Sequence, residues 1–123
     1  MPRRHIERDL QRAVMNYFKV CCPRAIAVHI PNGGARRPIE AAILKTMGVV
    51  PGIPDLLVMW PPRNFAFIEL KAPGSANRLS EAQKEFHSRL VSIDALNVVA
   101  TSIDEVRAAV RAWGIPSNDR WTA

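Results

Sequence analysis

Three charged side chains stand at the ends of two short apolar stretches. Asp55 opens Asp55-Leu56-Leu57-Val58-Met59-Trp60, and Glu69 and Lys71 close Phe65-Ala66-Phe67-Ile68-Glu69-Leu70-Lys71. Strand interiors select against charge, so charged groups at the edge of a core require a partner or a purpose. The connection Pro61-Pro62-Arg63-Asn64 is short, and the two stretches are expected to pair as an antiparallel hairpin. With the turn centred near Pro62 and Arg63, Asp55 falls opposite Glu69 or Leu70 at the hairpin's open end. Glu69 and Lys71, two apart on a strand, share one face, and Leu70 takes the other. Two carboxylates and one amine therefore converge. Neighbouring carboxylates repel unless a divalent cation lies between them, and Mg²⁺ favours one or two carboxylates with water and phosphate oxygen in its other positions. A lysine beside such a cation can orient an attacking water or hold a scissile phosphate. The plainer alternative is an ion pair of Lys71 with Glu69 or Asp55 at a solvated strand end, worth only about 0–1 kcal/mol. The Pro54-Asp55 entry, the Glu-x-Lys exit and the flanking Gly and Pro loops together favour chemistry over that pairing.

The elements that must position these groups follow from periodicity. Residues 5–20 read as a helix with Ile6, Leu10, Ala13, Val14, Tyr17 and Phe18 on one apolar stripe, closed by Pro23. A short strand, Ala25 to Ile30, ends at Pro31-Asn32-Gly33-Gly34, where every residue favours a turn. Pro38 suits the first turn of a second helix and Gly48 its end, with Ile39, Ala42, Ile43 and Met47 as the apolar stripe. Beyond the hairpin, a third helix is expected from about Ser80 to Val91, a strand at Asn97 to Ala100, and a last helix from Ser102 to Trp113 that stops at Gly114. The order α-β-α-β-β-α-β-α predicts an α/β fold, a small mixed sheet flanked by helices.

A chain of 123 residues has room for one domain, 1–123. No apolar run approaches the roughly 20 residues that span a bilayer, which excludes a transmembrane role. The basic start, Met1 to His5, is followed by no apolar stretch of a secretory signal. The adjacent Cys21 and Cys22 cannot staple a secreted scaffold and lack further ligands at zinc spacing. These features together predict a cytoplasmic protein. Its formal net charge of +6 suggests a polyanionic partner, nucleic acid being the commonest.

Pro54-Asp55 followed by Glu69-Leu70-Lys71 resembles the signature of the PD-(D/E)xK nuclease superfamily. The wider series of Gly48, Gly52, Pro54-Asp55, Glu69-x-Lys71, Pro73-Gly74 and Leu79-Ser80-x-x-Gln83 resembles the VRR-NUC (virus-type replication-repair nuclease) family, with Asn32-Gly33-Gly34 also fitting. The likeness runs from about Glu7 to the last helix. It implies a restriction-endonuclease-like core and a Mg²⁺- or Mn²⁺-dependent endonuclease acting on branched or duplex DNA, with no small-molecule cofactor. By the same resemblance, Asp55, Glu69 and the backbone carbonyl of Leu70 hold the metal, and Lys71 activates water. An acidic residue on the first helix completes the site. That acid maps to Glu7, directly or through water, although Asp9 is near and Glu7 could equally pair with Arg3 or Arg4. Stand-alone members of the family resemble phage and bacterial proteins that act on four-way (Holliday) junctions. Two nicks related by two-fold symmetry call for a homodimer, with the helix from Pro38 to Met47 and the Trp-containing C-terminal segment as candidate interfaces. A non-cleaving branched-nucleic-acid-binding module, or a vestigial subunit of a replication or packaging assembly, is the alternative.

Gln83 has two compatible readings. Ser80-x-x-Gln83 fits a capping box, and the family likeness puts the same glutamine at the edge of the active site. The start of that helix would also favour a phosphate. Arg36 and Arg37 follow a glycine-rich turn and are candidate phosphate contacts. Nothing in the sequence marks His29 or His87 as a ligand, and Trp60, Trp113 and Trp121 read as packing residues.

Overall fold

The computed structural model of the chain describes residues 3–31 and 37–120. The elements come in the expected order: α1 (Arg3–Cys21), β1 (Ile26–His29), α2 (Pro38–Thr46), β2 (Leu56–Trp60), β3 (Asn64–Leu70), α3 (Glu81–Ser92), β4 (Leu96–Ala100) and α4 (Ile103–Trp113). The turn at Asn32-Gly33-Gly34, Arg36 and Trp121 lie outside the described residues.

The four strands form one mixed sheet in the order β1-β2-β3-β4. β1 and β2 are antiparallel, as are β2 and β3, whereas β3 and β4 run parallel with α3 as the crossover. The hairpin register sets Leu56 against Ile68 and Leu57 against Phe67, within one residue of the sequence expectation. One face of the sheet is sealed. Leu56, Val58, Ile68 and Leu70 meet Val14 and Phe18 of α1 and Val106 and Val110 of α4, all buried. Side chains alternate along each strand, so this packing turns Leu57, Phe67 and Glu69 to the opposite face. There α3 lies across β3 and β4, with the Phe86 ring edge-on to Phe67.

Caps account for where the later helices begin. Ser80 and Ser102 precede α3 and α4, and the hydroxyl of each accepts from the backbone N–H three residues on. Trp60 stacks on Trp113 with ring centroids 6.3 Å apart, which bears out their reading as packing residues. The C-terminal segment is tied down by Asp119, which accepts from Tyr17 Oη at 2.9 Å and from Arg107 Nε at 2.8 Å.

Two expectations change. Ala13, assigned to the apolar stripe of α1, is exposed; the helix turns its face to Val14, Phe18 and Cys22, the i, i+4, i+8 row that meets the sheet. The stripe of α2 forms as a helix but buries none of its residues, and Ile39, Ile43 and Met47 are 65%, 53% and 75% exposed. Periodicity specifies that an apolar face exists, not which surface covers it.

Candidate active site

The site is assembled where β3 outruns β2. Pro54 has no N–H to donate and Asp55 precedes the first residue of β2, so the ladder stops one pair short of Glu69 and Leu70. Asp55 replaces the missing strand with its side chain: Oδ2 accepts the Leu70 N–H at 2.8 Å. The next N–H, that of Lys71, turns the other way and donates to the Ala100 carbonyl of β4 at 3.0 Å. Within a strand, a residue's N–H and C=O point to the same side. The Leu70 carbonyl therefore faces the Asp55 side, past the end of β2, where the family likeness would use it.

Glu69 is 7% exposed. Its Oε1 accepts from Gln83 Nε2 at 2.7 Å, while Oε2 is buried without a hydrogen-bond partner among the described residues. Burial, followed by the negative charge of Asp55, pushes the Glu69 carboxyl up to about 8; Lys71 opposes the shift and does not cancel it. A buried carboxylate so placed is stable only as the neutral acid or with a cation beside it. Among the described residues Lys71 forms no ion pair with Glu69 or Asp55. Its Nζ instead donates to Gln83 Oε1 at 3.1 Å, which sets aside the simple surface pairing. Gln83 thus joins Lys71 to Glu69.

Both readings of Gln83 hold at once. Its Oε1 also accepts from the Ser80 N–H at 2.8 Å, and its own N–H donates to Ser80 Oγ at 3.1 Å, closing the capping box. A cavity of about 20 Å³ behind the site, lined by Gly52, Pro54, Glu69, Gln83 and His87 among others, has room for roughly one water.

Asp55, Glu69, Lys71 and Gln83 are brought together, with Leu70 between them. Glu7 is half-buried on α1. Among the described residues no three His, Cys, Asp or Glu side chains form a metal-binding group. Arg37 is exposed and holds Glu40 at 2.8 Å at the start of α2. Cys22 is buried in the core, which raises its thiol pKa, and both cysteines are free. His29, which nothing in the sequence marks as a ligand, brings its Nδ1 within 3.0 Å of the Asp55 carbonyl. The register of β1 on β2, which sets His29 against Leu56, is the signal that places it, and that register is not local.

The donor atoms gathered here match what Mg²⁺ or Mn²⁺ requires. The unpartnered buried oxygen of Glu69, the adjacent Asp55 carboxylate and a backbone carbonyl are hard oxygen donors, the set these ions prefer. The residues fit. Among the described residues no helix is long and apolar enough to cross a membrane.

Comparison with known proteins bears on the same point. The VRR-NUC domain family matches residues 1–104. A solved structure described as a "VRR_NUC domain protein" is similar with a TM-score of 0.65 and 28% identity, covering 85% of this chain and 84% of that one. No curated protein matches. A family match over that span, on a fold shared with a solved relative, decides the membership: the chain belongs to the VRR-NUC family, and its domain is of nuclease type.

Proposed function

We propose that this chain is a Mg²⁺- or Mn²⁺-dependent DNA endonuclease, a single domain over 1–123, working in the cytoplasm of a bacterial or phage-infected cell. The observation that carries the reading is the buried, unpartnered Oε2 of Glu69 beside Asp55, with Lys71 held at the same point by Gln83. Asp55, Glu69 and the Leu70 carbonyl would hold the cation, with Glu7 completing the site directly or through water. When bound, the cation supplies Lewis-acid polarisation of a phosphoryl oxygen and a water of lowered pKa.

The chain's own residues do the rest. Gln83 donates a hydrogen bond to Glu69 and accepts one from Lys71, which holds both groups in one geometry. Lys71 keeps two further ammonium protons for a phosphate oxygen or the attacking water. The reaction is phosphodiester hydrolysis: water adds to phosphorus and the P–O3′ bond breaks, leaving a 5′-phosphate and a 3′-hydroxyl. Arg36, Arg37 and the net charge of +6 supply phosphate contacts that position DNA without reading its sequence.

Branched DNA, such as a four-way junction, is the proposed substrate, and a homodimer the working unit. One chain offers one Asp55–Glu69–Lys71 site, and two symmetric nicks require two. The uncovered apolar surfaces support association. Among them are the stripe of α2 and a groove of about 630 Å³ lined by Ile26, Met59, Phe65 and Phe67. The test is cleavage of linear, flapped and four-way DNA with and without Mg²⁺. The Lys71→Ala variant should lose cleavage yet bind DNA within a few-fold of wild type, because bulk affinity sums many phosphate contacts. Wild-type cleavage rates in that variant would return Lys71 to a structural role.

A further inference from the structure

The Gln83 carboxamide has an accepting end and a donating end, and rotating it by half a turn exchanges them at little intrinsic cost. Its orientation here is dictated by its neighbours. Oε1 meets two groups that can only donate, the Ser80 backbone N–H at 2.8 Å and the Lys71 ammonium at 3.1 Å. Nε2 must then face Glu69, and it donates to Oε1 of that carboxylate at 2.7 Å. Glu69 Oε2 is thereby the oxygen left over, buried and without a hydrogen-bond partner among the described residues.

The start of α3 is fixed by two residues that touch no reacting group. Ser80 Oγ accepts the Gln83 N–H at 3.1 Å and holds the first turn closed. Gly52, with φ +81°, lies flat on that turn: a Cβ there would stand 2.2 Å from the Ala82 carbonyl oxygen and 2.6 Å from the Gln83 nitrogen. Only glycine permits so close an approach. Asp55 follows Gly52 by three residues, so the same contact ties the helix carrying Gln83 to the hairpin carrying Asp55, Glu69 and Lys71.

We propose that Ser80 and Gly52 are positioning residues of the site, which lock the Gln83 carboxamide in one orientation and so select Oε2 of Glu69 as the oxygen that binds the cation. The proposal rests on the cation-dependent reading above and adds to it a device outside the ligand set. A helix cap with no such duty stabilises its helix and nothing else. The fold contains the matching control: Ser102 Oγ accepts the Glu105 N–H at 3.1 Å at the start of α4, by the same chemistry as Ser80.

Calorimetry with Mn²⁺ alone, on the full chain without DNA, reads the effect directly, with melting temperature and cleavage measured alongside. Ser80→Ala should weaken Mn²⁺ binding roughly tenfold, the scale on which outer support of metal ligands is felt. Ser80→Thr and Ser80→Asp keep a capping oxygen and should stay within about twofold of wild type. Ser102→Ala should lower the melting temperature comparably and leave Mn²⁺ affinity and cleavage unchanged. Gly52→Ala should weaken Mn²⁺ binding more than Ser80→Ala; if it does not fold, the serine series decides alone. Unaltered Mn²⁺ affinity in Ser80→Ala, or an equal loss in Ser102→Ala, overturns the proposal while the nuclease reading stands. A wild-type chain that binds no Mn²⁺ overturns the cation reading and the proposal with it.

Discussion

The two faces of the β2–β3 hairpin obey opposite rules. On one, Leu56, Val58, Ile68 and Leu70 are fully buried against α1 and α4, and every side chain is apolar. On the other, one residue along the strand from Leu70 and Ile68, Glu69 is nearly as buried but carries a carboxyl with an oxygen that has no hydrogen-bond partner among the described residues. Burying a polar group without a partner is costly, and a charge more so. The difference teaches how the cost is borne: the sealed face holds the strand rigid, and alternation then forces Glu69 into a place it would not choose. The apolar face supplies stability, and the polar end draws on it for a site.

Breaking the polar end should cost function and return stability. In Glu69→Gln, cleavage should fall by at least about 10³-fold, because several kcal/mol of transition-state charge stabilisation goes with the lost anion. The same variant should melt higher than wild type in metal-free buffer at alkaline pH, where the native residue carries an unpaired buried charge. Single-turnover cleavage and a melting curve on one preparation check both halves.

Breaking the sealed face should do the reverse. Leu56→Ala removes a fully buried side chain, with an expected loss of about 2–5 kcal/mol from burial and residual cavity. The fraction that remains folded should still bind Mn²⁺. Denaturant melts read the first effect and calorimetry the second. A site lost in proportion to its contact with Leu56, rather than to global unfolding, would erase the distinction between the faces.

The contrast is also visible in pH. The folded chain holds the Glu69 proton up to about 8, whereas the unfolded chain releases it in the ordinary glutamate range. Between those limits the native state binds more protons than the unfolded one, so metal-free stability falls as pH rises and levels off above about 8. Saturating Mn²⁺ should flatten that slope, since the cation takes the proton's place. Melting temperatures from pH 5 to pH 9, with and without Mn²⁺, follow both branches.

The smallest expected effect lies on α2, the helix that neither face uses. Ile43 is 53% exposed, and Ile43→Asp should change stability of the isolated fold by no more than about 0.5 kcal/mol. If the apolar stripe of α2 joins two copies, light scattering will nonetheless show the variant at 13.7 kDa and the wild type at a higher mass.

The hairpin was legible because everything that defines it is local. A short Pro-rich connection sets the register, two-residue alternation sets the faces, and Asp55, Glu69 and Lys71 follow from counting. The helix starts at Ser80 and Ser102 were legible for the same reason, since a cap is complete within four residues. Gln83 was only half legible: its capping partner is three residues away, but Glu69 and Lys71 are 14 and 12. Glu7 rested on resemblance alone: nothing in its local sequence on α1 ties it to Asp55 or Glu69.

The amino-acid sequence by itself determined the order of elements, the pairing of β2 with β3 and the meeting of two carboxylates with a lysine. Turn chemistry, period and caps act over a few residues and leave little choice. Tertiary structure alone decided that β3 and β4 run parallel, that Gly52 presses on the first turn of α3, and that His29 lies against the Asp55 carbonyl. It also decided that Glu69 is buried with one oxygen bound and one left open. These depend on contacts between segments far apart in the chain, and α2, whose apolar stripe stays exposed, shows that a pattern without such a contact specifies no partner.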